Sequence, residues 1–126
     1  MRKTIFLLPC VICLIWLSGC AMMPGQHDPP DKEDKYVVRT DAASIEIGQI
    51  LFNVNCKRCH DPYTTNRIVG PGLRGILKNK LLPVSRKPAT PITAAEQIRS
   101  PYHEMPSIRD LSADDIADII AFLNTL

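Results

Sequence analysis

Cys56-Lys57-Arg58-Cys59-His60 sets two thiols three positions apart and places an imidazole directly after the second. That pattern is the attachment signature of a c-type haem. Each sulfur can add to one of two vinyl groups on the same edge of a porphyrin. The two-residue gap lays both sulfurs along that edge, on one turn of helix. His60 then falls under the iron, where it can supply an axial nitrogen. A zinc site would need a second pair of ligands, and no cysteine follows His60. A thioredoxin-like redox pair would need a βαβ setting, which the sequence does not present. A CxxC arising by chance in an ordinary helix is the remaining alternative, and the export signal described below weighs against it.

A second iron ligand is offered by Tyr102-His103-Glu104-Met105-Pro106. Met105 precedes a proline in an expected loop ahead of the last helix, and its soft thioether suits a haem iron that stays six-coordinate. His103 is the rival and would give a bis-histidine iron. A methionine that fills a core gap, leaving the iron open, is the third reading. The other chemical candidate is Cys20. Met1-Arg2-Lys3 is a positive start, and residues 5–17 are almost continuously apolar. That run is shorter than the roughly 20 residues of a membrane-spanning helix. It ends in Leu17-Ser18-Gly19-Cys20, which resembles a bacterial lipobox. The resemblance implies cleavage before Cys20 and lipid on its thiol, with residues 1–19 a lipoprotein signal peptide. An uncleaved anchor helix or a plain signal peptide are the alternatives, and each exports the rest of the chain.

The five cysteines are thereby accounted for. Cys10 and Cys13 lie in the leader, Cys20 takes lipid, and Cys56 and Cys59 take haem. No thiol is left for a structural disulfide, although an exported compartment would permit one. The chain is small enough that an apolar core alone would be marginal, and a covalently held porphyrin would supply the missing contact. Charge is unevenly spread. Residues 57–87 hold eight bases and only Asp61 as an acid, whereas residues 28–46 and 96–118 are each dominated by acids. A solvated surface explains most such runs. Because this block begins at the haem motif, a docking rim for the acidic face of a redox protein is the sharper reading, with Lys57, Arg58, Lys78 and Lys80 as its candidates. Nucleic acid is a poor partner for an exported lipoprotein.

The elements that must position these groups follow from periodicity and caps. Residues 20–40, rich in proline and charge, read as a flexible tether spanning roughly 25 Å on average. Asp41 offers a cap for a helix running into Cys56, with Ile47, Ile50, Leu51 and Val54 as its buried face. Gly48, in mid-helix, marks a close crossing. Residues 61–89 have no period and many Gly and Pro, so loops wrapping a porphyrin edge are expected, with a short helical turn at most. Thr93-Ala94-Ala95-Glu96, just after Pro91, suggests a capping box for a short helix that stops before Pro101. Ser112 and Asp115 form a second capping box, with Leu111 and Ile116 as a hydrophobic staple, ahead of a closing helix faced by Ile116, Ile119, Ile120 and Leu123.

Gly48-Gln49-Ile50-Leu51-Phe52 before the CxxCH, then Gly70-Pro71-Gly72-Leu73, Met105-Pro106 and the closing helix resemble a class I (monohaem) bacterial cytochrome c over residues 41–126. The resemblance implies an all-α fold in which the N- and C-terminal helices cross, Gly48 and Phe52 meet Phe122, and loops wrap one covalent haem c with its iron. It also implies that the Pro71 carbonyl receives the second nitrogen of His60, making the imidazole a stronger donor. Residues 78–91 depart from the family pattern. The implied activity is one-electron transfer by a carrier that is not itself an enzyme, lipid-anchored to a membrane and facing the periplasm or the outer cell surface. A haem that binds NO or CO, and a dedicated electron-accepting subunit of a dehydrogenase or reductase complex, are the alternatives.

Overall fold

The computed structural model describes residues 36–126; the expected leader, Cys20 and the expected tether through residue 35 lie outside the described residues. Among the described residues three helices form, α1 (Ala42–Asn55), α2 (Pro91–Arg99) and α3 (Ala113–Thr125), with one 3-10 turn at Ile76–Lys78 between α1 and α2. Among the described residues no strand forms, only an isolated antiparallel bridge between Leu81 and Pro88. The expected all-α class is borne out.

Each helix starts where a side chain can take an orphan backbone N–H. Asp41 accepts from Ser44 N at 2.9 Å and opens α1. Ser112 and Asp115 close a reciprocal capping box on α3, Asp115 N donating to the hydroxyl at 3.1 Å and Ser112 N to the carboxylate at 2.8 Å. α2 begins earlier than its sequence pattern suggests. Its cap is Thr90, which accepts from Thr93 N at 3.2 Å, and Pro91 takes the first helical position, where a missing N–H is no loss. Thr93 is therefore inside the helix, not its cap.

The core sits where α1 crosses α3. A Cβ on Gly48 would lie 1.9 Å from the Asp118 carbonyl oxygen, so only hydrogen fits at this position. Four residues on, Phe52 packs against Phe122 with ring centroids 5.4 Å apart and planes tilted by 56°. Phe52, Ile119 and Ile120 are the largest fully buried side chains, each contributing about 1.5–3 kcal/mol of transfer free energy. The expected buried face of α1 needs correction. Gly48 and Phe52 face the core and Leu51 packs against it, whereas Ile47, Ile50 and Val54 point to solvent. Both sides of α1 are apolar, so spacing alone could not choose between them. The crossing chose, because only the Gly48 side lets the backbones approach.

The folded unit also begins before residue 41. Tyr36 and Val38 pack against the core, and Arg39 donates from Nη1 to Asp118 at 2.8 Å while Nη2 pairs with Asp114. These contacts tie the last residues of the expected tether to α3. They hold the Arg39 guanidinium above its ordinary pKa and give the buried Asp118 carboxylate its partner.

Gly48→Ala should lower stability by about 3 kcal/mol or more, because backbone on the facing helix cannot retreat. Gly75→Ala should cost only about 1–2 kcal/mol, the strain of a side chain at φ +67° with open space around it. Thermal melts of the two variants check the order. Hydrogen bonds from Ser44 and Ser112 hold the Asp41 and Asp115 carboxyls below the usual range. Their contribution is therefore present above that range and lost as pH falls through the lower folded values. A double Asp41→Asn, Asp115→Asn variant should show a shallower acid limb in pH-dependent melts.

Candidate haem-binding site

The CxxCH segment is a helical turn continuing from α1. Cys56 caps the helix with its N–H on Phe52 O, and both Cys59 N and His60 N donate to Cys56 O at 3.0 Å. Cys56 is buried and Cys59 half-buried, and no disulfide joins them. Before haem is attached, burial, with the neighbouring Cys59 adding to it, pushes the Cys56 thiol up to about 11.

The aperiodic loop after His60 folds back onto this turn. Gly70 N donates to Cys59 O at 2.9 Å, and Leu73 N donates to Asp61 O at 2.8 Å. That lacing brings the Pro71 carbonyl within 2.8 Å of His60 Nδ1. An Nδ1–H donated to this carbonyl fixes the tautomer and leaves Nε2 as the lone-pair nitrogen. Gly70 makes the arrangement possible, since a Cβ there would sit 2.3–2.8 Å from three atoms of the imidazole. Gly72 is needed in the same loop, where a Cβ would strike the backbone of Thr64 and Thr65.

A cavity of about 360 Å³ opens beside the turn, lined by Cys56, Cys59 and His60 on one part and Met105 on another. Its walls are mainly apolar, among them Leu73, Leu82 and Ile98. Residues 80–89, within the 78–91 segment that departs from the family pattern, fold back on themselves through Leu82 N to Lys87 O at 2.8 Å and the Leu81–Pro88 bridge. This fold carries Leu82, Pro83 and Val84 into the wall. Met105 is half-buried and His103 exposed, with His103 held at φ +60° and its ring 5.9 Å from that of Tyr102. Both line the cavity.

The four basic docking candidates do not line it. Lys57, Arg58, Lys78 and Lys80 are all exposed, and Lys78 Nζ donates to Leu126 O at 2.6 Å. Arg67 is the only Lys or Arg among the lining residues. Sequence reasoning missed the individual weight of Arg67 and Gly70. For Gly70 the signal was available in the Gly-Pro pair; for Arg67 there was none beyond its charge. No group of three or more His, Cys, Asp or Glu that could hold a bare metal ion occurs among the described residues.

Three capped helices around a crossing glycine, with two thiols and an oriented imidazole at an apolar cavity, define a small c-type haem protein. The family model described as cytochrome C oxidase, cbb3-type, subunit III matches residues 43–123, and the chain belongs to that family. No curated protein matches the chain as a relative. As a cytochrome c domain it carries covalently bound haem c with iron and is a haem-based electron-transfer protein. The residues fit that group: Cys56, Cys59 and His60 line one cavity, the imidazole keeps its lone pair on Nε2, and most of the remaining lining offers a porphyrin apolar contact.

Gly70→Ala should force the His60 ring off the Pro71 carbonyl. The expected result is a lower yield of haem-loaded protein and a shifted visible spectrum in what remains, while Gly75→Ala leaves both unchanged.

Proposed function

We propose that the chain is a one-electron carrier with a single haem c, attached through Cys56 and Cys59 and ligated by His60 and Met105. The observation that carries this reading is His60. Its Nδ1 is engaged by Pro71, Gly70 lies against its ring and the residue lines the cavity, which leaves Nε2 as the nitrogen free to donate to an iron. A bound haem supplies reversible one-electron chemistry at its iron. The chain's residues do the rest: His60 donates from a fixed tautomer, Met105 offers a soft sulfur from a half-buried position, and the apolar walls keep water away. We assign Met105 over His103 because the methionine is the more buried of the two, which suits a ligand shielded from water.

Lipid at Cys20, following cleavage of residues 1–19, would tether the domain to a membrane facing the periplasm or the outer surface. The lipobox-like Leu17-Ser18-Gly19-Cys20 supports this. Among the described residues no helix is long and apolar enough to cross a membrane. Redox partners with acidic faces would dock on the exposed bases, with Lys57, Arg58, Lys78 and Lys80 joined by Arg67 at the cavity. A second reading, a dedicated subunit of an oxidoreductase complex, is favoured by the family's description as an oxidase subunit.

Met105→Ala should leave haem attached but lower the reduction potential, whereas His103→Ala should leave the potential unchanged; redox titration of both variants decides the ligand. An unmoved potential in Met105→Ala removes methionine from the site. Cys20→Ser should release the haem protein from the membrane fraction, and a variant that stays membrane-bound contradicts the lipid tether. Co-purification with a large partner, lost at high salt, would favour the subunit reading over a free carrier.

A further inference from the structure

The outer face of α1 carries an apolar stripe that the fold does not use. Ile47, Ile50 and Val54 are 46, 56 and 76% exposed, and their spacing sets them along one side of the helix, away from the Gly48–Phe52 side that meets α3. Val69, Val84 and Tyr102 are also exposed, but they line the haem cavity. The three residues of the stripe line no cavity described here. Large apolar side chains in a row on an outer face mark a contact surface.

The charges at the two ends of the stripe indicate what covers it. Exposed Glu46 stands at its N-terminal end, and exposed Lys57 and Arg58 stand beyond its C-terminal end. We propose that this face is the interface of a homodimer in which α1 lies antiparallel on α1 of a second copy. A twofold axis near Ile50 sets Ile50 on Ile50 and Ile47 on Val54 of the second copy. The same axis brings Glu46 of each chain beside Lys57 and Arg58 of the other, so the surface is complementary to itself. A parallel pair would instead oppose acid to acid and base to base. The antiparallel pair also puts the two CxxCH turns at opposite ends, leaving both haem cavities open. From Ile47 to Val54 the stripe spans about 10 Å, so the buried patch falls well below the roughly 800 Å² per partner of a standard interface. The dimer is accordingly weak and forms where the protein is concentrated.

The test is sedimentation velocity of the haem-loaded full chain in detergent, followed by haem absorbance over a concentration series. The native protein should show a reversible monomer–dimer equilibrium. Ile50→Glu, which places two carboxylates on the axis, should weaken it by more than about tenfold. Glu46→Lys should weaken it as well, and adding Lys57→Glu and Arg58→Glu should restore it. Haem absorbance reports that each variant is folded. A native protein that stays monomeric throughout, a dimer indifferent to Ile50→Glu, or a charge reversal that restores nothing would each overturn the proposal. In the first case the stripe faces lipid or a different protein.

Discussion

The fold depends on one backbone-to-backbone contact. Gly48 approaches the Asp118 carbonyl so closely that no side chain fits between them. Asp118 serves the crossing twice, since its main chain receives α1 and its buried carboxylate is held by Arg39 from the segment ahead of α1. A carboxylate buried without a partner would be costly, so the strand of chain entering the domain is tied down by the same residue that fixes the helix crossing. With α1 and α3 locked, the Phe52–Phe122 pair follows one turn later, and the end of α1 is aimed at the cavity with Cys56 as its cap.

Past that cap, regular structure gives way to hydrogen-bonded loops, and the change has a physical reason. A flat, largely apolar ligand needs a slot, and a helix packed against another helix leaves none. Residues 61–89 instead wrap around the opening, held by main-chain bonds to the CxxCH turn and by their own reverse turns. Glycines stand where backbone or an imidazole comes too close for a side chain. Gly70 lets backbone pass directly behind the imidazole, and the next carbonyl, that of Pro71, then meets Nδ1. The steric fit behind His60 and the hydrogen bond that orients it are two parts of one local structure.

How far these features could be read from the residues varied with the physics behind them. The CxxCH was legible because thioether chemistry dictates its spacing, and the caps at Asp41 and Ser112–Asp115 were legible because capping is local. Gly48 could be read as a crossing because an interior glycine is unfavourable unless something lies close. The buried side of α1 was misjudged because its outer side is just as apolar, and only the position of α3 distinguishes them. Thr90 was passed over for Thr93, since both hydroxyls precede a helical stretch and the advantage of Pro91 at the first position decides. The wall built by residues 80–89 and the Arg39 contacts with α3 rest on pairings distant in sequence, which periodicity does not report. Met105 and His103 remained competitors because they are two residues apart in one loop, and the difference between them is burial.

Electron transfer with little rearrangement requires that both axial positions be filled by the protein. That requirement is tested most directly by the visible absorption spectrum of the reduced, detergent-extracted protein, recorded with and without CO. A haem iron held by His60 and Met105 should give a low-spin c-type spectrum that CO does not change. Prompt CO binding would contradict it by revealing a weak or missing sixth ligand, and a protein with no covalently attached haem would contradict it altogether.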